Sequence, residues 1–280
     1  MITFVFLMLL KFFKYQGTGN DFILLNNMDG NYNNVSEDVK RFLCDRKFGI
    51  GADGLIVLNA SQEYDFLMDF SNPDGSKSFC GNGARCAVKF AADIGFLSSY
   101  SVTFEAIDGV HSAQLCRNEV KLEMSGVDLP KKVRLAEMDS IPFTDGFFLD
   151  TGSPHLVLAV DNLTKLETNN LINIGRKIRY SKKYEADGVN VNLVYKHSSN
   201  ELSIATYERG VENETLSCGT GATACALIHA SKEMNTQGSI KIRTKGGLLQ
   251  VAYESDGENK FTKVHLIGPA KFIYEGTVEI

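Results

Sequence analysis

Two short β-rich stretches, the apolar Leu55-Ile56-Val57-Leu58 and the alternating Val189-Asn190-Val191-Asn192-Leu193-Val194, each follow a matching turn, Ala52-Asp53-Gly54 and Ala186-Asp187-Gly188. β-branched runs bounded by glycine turns predict strands. Later in each half, Gly83–Ala92 and Gly221–Ser231 are alanine-rich and free of proline, which predicts a helix starting at a Cys-Gly-x-Gly segment. Further strands are predicted at Ser101–Glu105, Glu119–Met124, Ser239–Thr244 and Leu248–Tyr253. Each half is therefore strand-rich around one prominent helix. The expected fold is α+β, two pseudo-symmetric domains with a site in the cleft between them.

The duplication extends beyond the pattern. Cys80-Gly81-Asn82-Gly83-Ala84 recurs half a chain later as Cys218-Gly219-Thr220-Gly221-Ala222. Gly17-Thr18-Gly19-Asn20 lies against Asp150-Thr151-Gly152-Ser153, and Val120-Lys121-Leu122 against Val264-His265-Leu266, in the same order in both halves. Ser125–Pro142, with prolines at 130 and 142, is the expected joint. The division expected is an N-terminal domain over 1–130 and a C-terminal domain over 131–268, with the tail 269–280 returning to the first. Residues 1–10 are almost wholly apolar, but a membrane-spanning helix needs about 20 such residues. They also lack the basic lead-in and cleavage site of a secretory signal, so they read as an extension or a misplaced start.

Composition narrows the function classes. A formal charge of -5, with no Lys/Arg run longer than a pair, gives no footprint for a nucleic-acid backbone. Six cysteines in 280 residues are too sparse for a disulfide scaffold and suit a reducing cytoplasm. Cys80 and Cys86 are too far apart for a zinc pair, and the five histidines are scattered, so no metal is expected. The Gly17–Phe22 segment lacks the third glycine of a dinucleotide loop.

The chemistry lies in the repeated cysteines. A helix N-terminus lowers a thiol pKa, and the glycines that follow let backbone N–H groups approach a carboxylate. Two such elements would put a sulfur on each side of one α-carbon, as a two-base racemase requires. A buried, inert thiol is the plain reading of a lone cysteine, and it is kept for Cys86 and Cys225 inside the predicted helices. For Cys80 and Cys218 it does not explain why the same five-residue turn occurs once per half.

The chain resembles the diaminopimelate epimerases from about Lys14 to its C-terminus. The resemblance rests on Gly17-Thr-Gly-Asn20-Asp-Phe22, Gly49-Ile-Gly-Ala-Asp53-Gly54, Asn72-Pro-Asp-Gly-Ser76, Cys80-Gly-Asn-Gly-Ala-Arg85-Cys86, Gly152-Ser-Pro-His155, Tyr207-Glu208-Arg209-Gly210 and Cys218-Gly-Thr-Gly-Ala222. It implies conversion of LL-2,6-diaminopimelate to the meso form, in lysine and peptidoglycan precursor synthesis, without pyridoxal phosphate or metal. Cys80 and Cys218 would exchange base and acid roles. Asn20, Asn72, Ser153, Asn190, Glu208 and Arg209 would bind the substrate, and backbone N–H groups at Gly81, Asn82, Gly219 and Thr220 would hold the reacting carboxylate. His155 and Glu208 would tune polarity beside the reacting centre. The implied partners are the small-molecule substrate and a second copy of the chain in a homodimer, with no nucleic acid and no membrane. Gly54 and Ser153 depart from the family's usual glutamine and asparagine. The alternatives are a proline or hydroxyproline racemase, and a non-catalytic amino-acid-binding or thiol-redox protein.

Overall fold

A computed structural model describes residues 9–33, 35–136, 138, 141–258 and 260–280. Of the apolar N-terminal stretch, residues 1–8 lie outside the described residues. Leu9 and Leu10 differ from the expected extension: they open a strand, and Leu10 is buried.

The first half runs β1 (Leu9–Gly17), β2 (Asn20–Asn27), α1 (Glu37–Cys44), β3 (Gly54–Asn59), β4 (Phe66–Ser71), α2 (Gly81–Asp93), β5 (Ser101–Ala106), β6 (Gly109–Cys116) and β7 (Glu119–Met124). Two short strands follow in the joint, β8 (Val127–Asp128) and β9 (Lys131–Arg134). The second half runs β10 (Asp145–Asp150), β11 (Pro154–Val160), α3 (Thr168–Arg179), β12 (Asn190–Ser198), β13 (Glu201–Glu208), β14 (Asn213–Thr215), α4 (Gly219–Lys232), β15 (Gln237–Thr244), β16 (Gly247–Ser255) and β17 (Lys260–Pro269). The chain ends in β18 (Lys271–Glu279). It divides into two compact units, one reaching Leu122 and including Pro269–Ile280, the other Glu123–Gly268.

The pairings within the two units are the same. β1–β2 is antiparallel, β2–β3 parallel, β3–β4 antiparallel, β4–β5 parallel and β5–β6–β7 antiparallel. In the second unit β10–β11 is antiparallel, β11–β12 parallel, β12–β13 antiparallel, β13–β15 parallel and β15–β16–β17 antiparallel. Even the outer strand is matched from different parts of the chain. β18, from the tail, flanks β1, and β9, from the joint, flanks β10, both antiparallel.

Each set of strands wraps one central helix. α2 is buried from Asn82 through Val88 and again at Phe90 and Ala91, and α4 from Gly221 to Ala230. A helix apolar on all sides must be enclosed. Small side chains let the strands close over it: Ala84, Ala87 and Ala91 in α2, and Ala222, Ala224, Ala226 and Ala230 in α4. Larger groups anchor it, as where Phe90 packs on Phe13 and Tyr15 with ring centroids 4.8 and 5.6 Å apart. Burying one such side chain contributes about 1.5–3 kcal/mol. The smaller helices are amphipathic. α3 buries Leu171, Ile174, Gly175 and Ile178 in an i, i+3, i+4, i+7 stripe. Gly175 is required there, because a Cβ would lie 2.4 Å from Cγ of Tyr207.

Candidate active site

Cys80 occupies the N-cap of α2 with extended backbone (φ −132°, ψ 110°), and its Sγ accepts the Gly83 N–H at 3.5 Å. Cys218 repeats this at α4 (φ −118°, ψ 114°), accepting from Gly221 N–H at 3.4 Å. N-caps are usually oxygens of Ser, Thr, Asp or Asn. Sulfur accepts well only as the thiolate, and the positive end of the helix dipole favours that same form. Both thiols therefore stand where ionisation is favoured. The other buried cysteines do not: burial pushes Cys44 up to about 11 and Cys86 up to about 12, and raises Cys225 as well.

Beside Cys80, a two-residue hairpin turn with positive φ at Thr18 (54°) and Gly19 (85°) delivers Asn20. Nδ2 of Asn20 donates to Asp53 Oδ2 at 2.7 Å. Its Oδ1 therefore faces the helix start, accepting from Asn82 Nδ2 at 3.2 Å and lying 3.9 Å from Cys80 Sγ. Asp53 is held by Arg46 at 2.7 Å, and Arg46 also grips Asp21, which pairs with the buried Lys14 at 2.7 Å. Burial alone would raise the Asp21 carboxyl, but hydrogen bonds from Arg46 and Lys14 override it and hold it at about 2. Arg85, wholly buried one helical turn inside α2, donates through Nη2 to Thr18 Oγ1 at 3.2 Å and so ties the turn to the helix.

The surroundings of Cys218 are more polar. Thr220 Oγ1 lies 3.4 Å from Sγ, 2.9 Å from His155 Nε2 and 3.0 Å from Ser153 Oγ. Ser153 Oγ is also 3.0 Å from His155 Nε2 and accepts from Asn190 Nδ2 at 3.3 Å. Asn190 Oδ1 in turn takes the Arg209 N–H at 2.8 Å. His155 is wholly enclosed: burial first, then the charge of Arg209, pushes it down to about 3, so the imidazole is neutral. Arg209 itself is exposed, with Nη1 donating to Asp187 O at 2.5 Å. Its stem passes over Gly188 (φ +73°), where a Cβ would lie 2.4 Å from Arg209 Cδ.

Asn20 and Asn82 thus gather at Cys80, and Ser153, His155, Asn190 and Thr220 at Cys218. Glu208 is partly buried at the end of β13, paired with Asn213. Asn72 is engaged differently: its Nδ2 donates to Ser76 O, Ser76 Oγ and Ser78 Oγ, each at 3.1 Å, bracing its own loop. The sequence places Asp53 in a repeated turn and a motif without giving it a role, and it does not single out Asn192 or Thr206. Asn192 was detectable in principle, since asparagines at 190 and 192 alternate with valines in a strand whose apolar residues are buried. Among the described residues no group of three or more His, Cys, Asp or Glu could hold a metal ion. Nor is any described helix long and apolar enough to cross a membrane.

The chain matches the model of one family, diaminopimelate epimerase, over residues 12–129 and 147–273. Its relatives include the diaminopimelate epimerase of Flavobacterium psychrophilum, 43% identical with 96% of this chain and 100% of that one covered. The Aquifex aeolicus enzyme of the same name is 36% identical, with 95% and 97% covered. Among solved structures, a Bacillus anthracis phenazine biosynthesis protein of the PhzF family superposes with TM-score 0.74 at 14% identity, covering 98% of this chain and 100% of that one. A hydroxyproline epimerase from Agrobacterium vitis, with bound trans-4-hydroxy-L-proline, gives TM-score 0.70 at 15% identity, covering 97% and 93%. These distant likenesses establish a shared fold.

Proposed function

We propose, for a chain that belongs to the diaminopimelate epimerase family, that Cys80 and Cys218 are the base and acid of a two-base epimerisation of diaminopimelate. The chain is an isomerase of amino-acid biosynthesis, interconverting the LL and meso forms on the route to lysine. One observation carries the assignment of the sulfurs: two copies of one topology each place a cysteine, and no oxygen side chain, at the N-cap of the enclosed helix.

In the proposed reaction one thiolate removes the α-proton, forming its S–H bond as the C–H bond breaks. The electron pair left on carbon is drawn toward the α-carboxylate, held by N–H groups of Gly81, Asn82, Gly219 and Thr220 at the helix starts. The other thiol then delivers its proton to the opposite face and is left as a thiolate, so the two sulfurs end with their states exchanged. No step requires a cofactor. Asn20, Asn72, Ser153, Asn190, Glu208 and Arg209 are proposed to bind the rest of the substrate, with the exposed guanidinium of Arg209 available to fork onto the distal carboxylate. His155 is proposed to act as a neutral dipole. A cytoplasmic setting is supported by six free cysteines. A homodimer is supported by three consecutive exposed apolar residues on β18, Phe272, Ile273 and Tyr274, and sedimentation of the purified protein tests it.

Incubation with LL-diaminopimelate in D₂O is the decisive experiment. The meso product should carry deuterium at the inverted α-carbon, and Cys80→Ser and Cys218→Ser should each abolish turnover while Cys86→Ser retains it. Full activity in either of the first two variants would overturn the two-base assignment. Racemisation of proline or 4-hydroxyproline, with no turnover of diaminopimelate, would overturn the substrate.

A further inference from the structure

The two units share a topology but differ directly beneath their cysteines. Strand register matches the positions: Phe22 pairs with Gly54 as His155 pairs with Asn190, and Ile56 pairs with Phe70 as Asn192 pairs with Thr206. In the first unit the corresponding residues are Phe22, Ile56 and Phe70, all apolar. In the second they are His155, Asn192 and Thr206, all buried and polar. The helix starts meet the matched position of Ile56 and Asn192, since a Cβ on Gly83 would touch Ile56, and one on Gly221 would touch Asn192 as well as Thr206. Burying three polar side chains is costly unless they form a satisfied network.

The directions of the hydrogen bonds around Asn192 and His155 follow from one fixed point. Asn192 Nδ2 lies 3.3 Å from the Leu156 carbonyl, which only accepts, so the amide group and not the oxygen faces that side. The same NH₂ donates to His155 Nδ1 at 3.0 Å, while Asn192 Oδ1 accepts the Thr206 hydroxyl at 2.8 Å. Nδ1 of a neutral imidazole that accepts leaves the hydrogen on Nε2. Nε2–H then donates to Thr220 Oγ1 at 2.9 Å. Ser153 Oγ accepts from Asn190 and lies 3.0 Å from both His155 Nε2 and Thr220 Oγ1, so it already has N–H donors on its oxygen and its own hydrogen is free to point to Thr220 Oγ1. In that arrangement the oxygen of Thr220 accepts from both and its hydroxyl hydrogen is left for Cys218 Sγ at 3.4 Å.

We infer that Asn192 is a positioning residue for Cys218, fixing the tautomer of His155 so that the Thr220 hydroxyl donates to the sulfur and stabilises its thiolate. Cys80 has a different neighbour: the acceptor oxygen of Asn20 lies 3.9 Å from its sulfur, which suits a thiol. The pair is thus biased, in the free protein, toward Cys218 as base and Cys80 as acid. This assignment of base and acid rests on the two-base reading, whereas the polarity of the chain into Cys218 does not.

The test reads each sulfur without substrate, by the pH dependence of iodoacetamide alkylation followed by peptide mass spectrometry. Titratable and charged groups on the neighbouring elements are Cys225 within α4, His155 on β11, Glu208 at the end of β13 and Arg209 just after it, and all are retained in the variants used. Thr220→Val should move the Cys218 midpoint up by about one to two pH units, the size expected when one hydrogen bond to the charged form is lost. Thr220→Ser should leave it in place. Asn192→Ile and Asn192→Ser should each move it in the same direction, and combining either with Thr220→Val should add nothing, because both act through one hydroxyl. Cys80 should keep its midpoint throughout, which also reports that the variants have folded. An unmoved Cys218 in Thr220→Val, or additive shifts in the double variants, would overturn the inference. Were the shifts found in a protein that does not turn over diaminopimelate, the proposed function would fail and the hydrogen-bond chain would stand.

Discussion

Placing alanine at Gly221 and at Gly83 applies one chemical change to matched positions with unlike surroundings. At Gly221 the new Cβ would lie 2.6 Å from Asn192 Oδ1, 3.2 Å from Thr206 Oγ1 and 3.3 Å from Cys218 Sγ. At Gly83 the nearest atoms are Ile56 Cδ1 at 3.3 Å, Met68 Cε at 3.4 Å and Cys80 Cβ at 3.5 Å. Alanine should favour either helix by about 1 kcal/mol over glycine. The difference lies in what can yield. Ile56 and Met68 present the ends of flexible side chains, and a shift of a few tenths of an ångström there costs less than about 1 kcal/mol. Asn192 Oδ1 belongs to an amide held on three sides, by Thr206, His155 and Leu156, and wholly buried. Moving it sacrifices one or two hydrogen bonds at about 1 kcal/mol each and adds overpacking strain of about 1–3 kcal/mol.

Gly83→Ala should therefore leave stability within about 1 kcal/mol of the parent, and Gly221→Ala should lower it by about 2 kcal/mol. In differential scanning calorimetry that is a Tm fall of roughly 4–8 °C for Gly221→Ala and a change below about 4 °C for Gly83→Ala. The cause can be isolated by removing the obstructing atom: Asn192→Ser should make Gly221→Ala less damaging than it is alone, a non-additivity of at least about 1 kcal/mol. Equal falls in the two single variants, or strict additivity in the double, would refute the claim that a rigid polar network under α4 sets the cost.

Arg209→Met should lower kcat/KM for LL-diaminopimelate at least about a hundredfold, the effect of losing a bidentate contact worth roughly 3 kcal/mol, with kcat included in the loss; unchanged steady-state kinetics would remove Arg209 from the site. His155 makes the protein acid-sensitive in a definable window. Its folded pKa of about 3 lies below the unfolded value of about 6.5, so between those values the unfolded chain binds the extra proton and stability falls as pH falls, by on the order of 1 kcal/mol per unit. His155→Phe should flatten urea-derived stability between pH 6 and about 4 relative to the parent, and parallel curves would refute the assignment.

Much of the architecture was legible because duplication was written in residues whose backbone roles are narrow. A cysteine followed by alternate glycines and an alanine-rich, proline-free run announced α2 and α4, and the Ala-Asp-Gly turns announced β3 and β12. α1 and α3 were not foreseen. α3, Thr-Asn-Asn-Leu-Ile-Asn-Ile-Gly-Arg-Lys-Ile-Arg, is poor in strong helix formers, and it forms because Leu171, Ile174 and Ile178 bury against the sheet beneath it. Nor could local pattern show that the tail and the joint each supply a flanking strand, β18 and β9, because a strand's partner is a property of the whole fold.

The least legible feature was the asymmetry between the cysteines. In sequence, Val-Asn-Val-Asn-Leu reads as a strand with one polar, solvated face. In the fold that face lies beneath α4, and Asn190 and Asn192 are both buried. Only strand register reveals that Asn192 occupies the place held by Ile56 in the other half. A symmetric pair of apolar supports would have been easier to fold, since every buried polar group must be matched by a partner. A two-base epimerase must nonetheless begin each turnover with one sulfur protonated and the other not. Two equivalent thiols would leave part of the free protein with both ionised or both neutral, states that cannot complete a turnover. A hydroxyl donor at one sulfur and an amide acceptor at the other separates the two ionisations and enlarges the productive fraction. On the proposed two-base reading, the cost of burying His155, Asn192 and Thr206 is attached to a catalytic gain, and it falls in a region where the two halves of the duplication cannot be chemically identical.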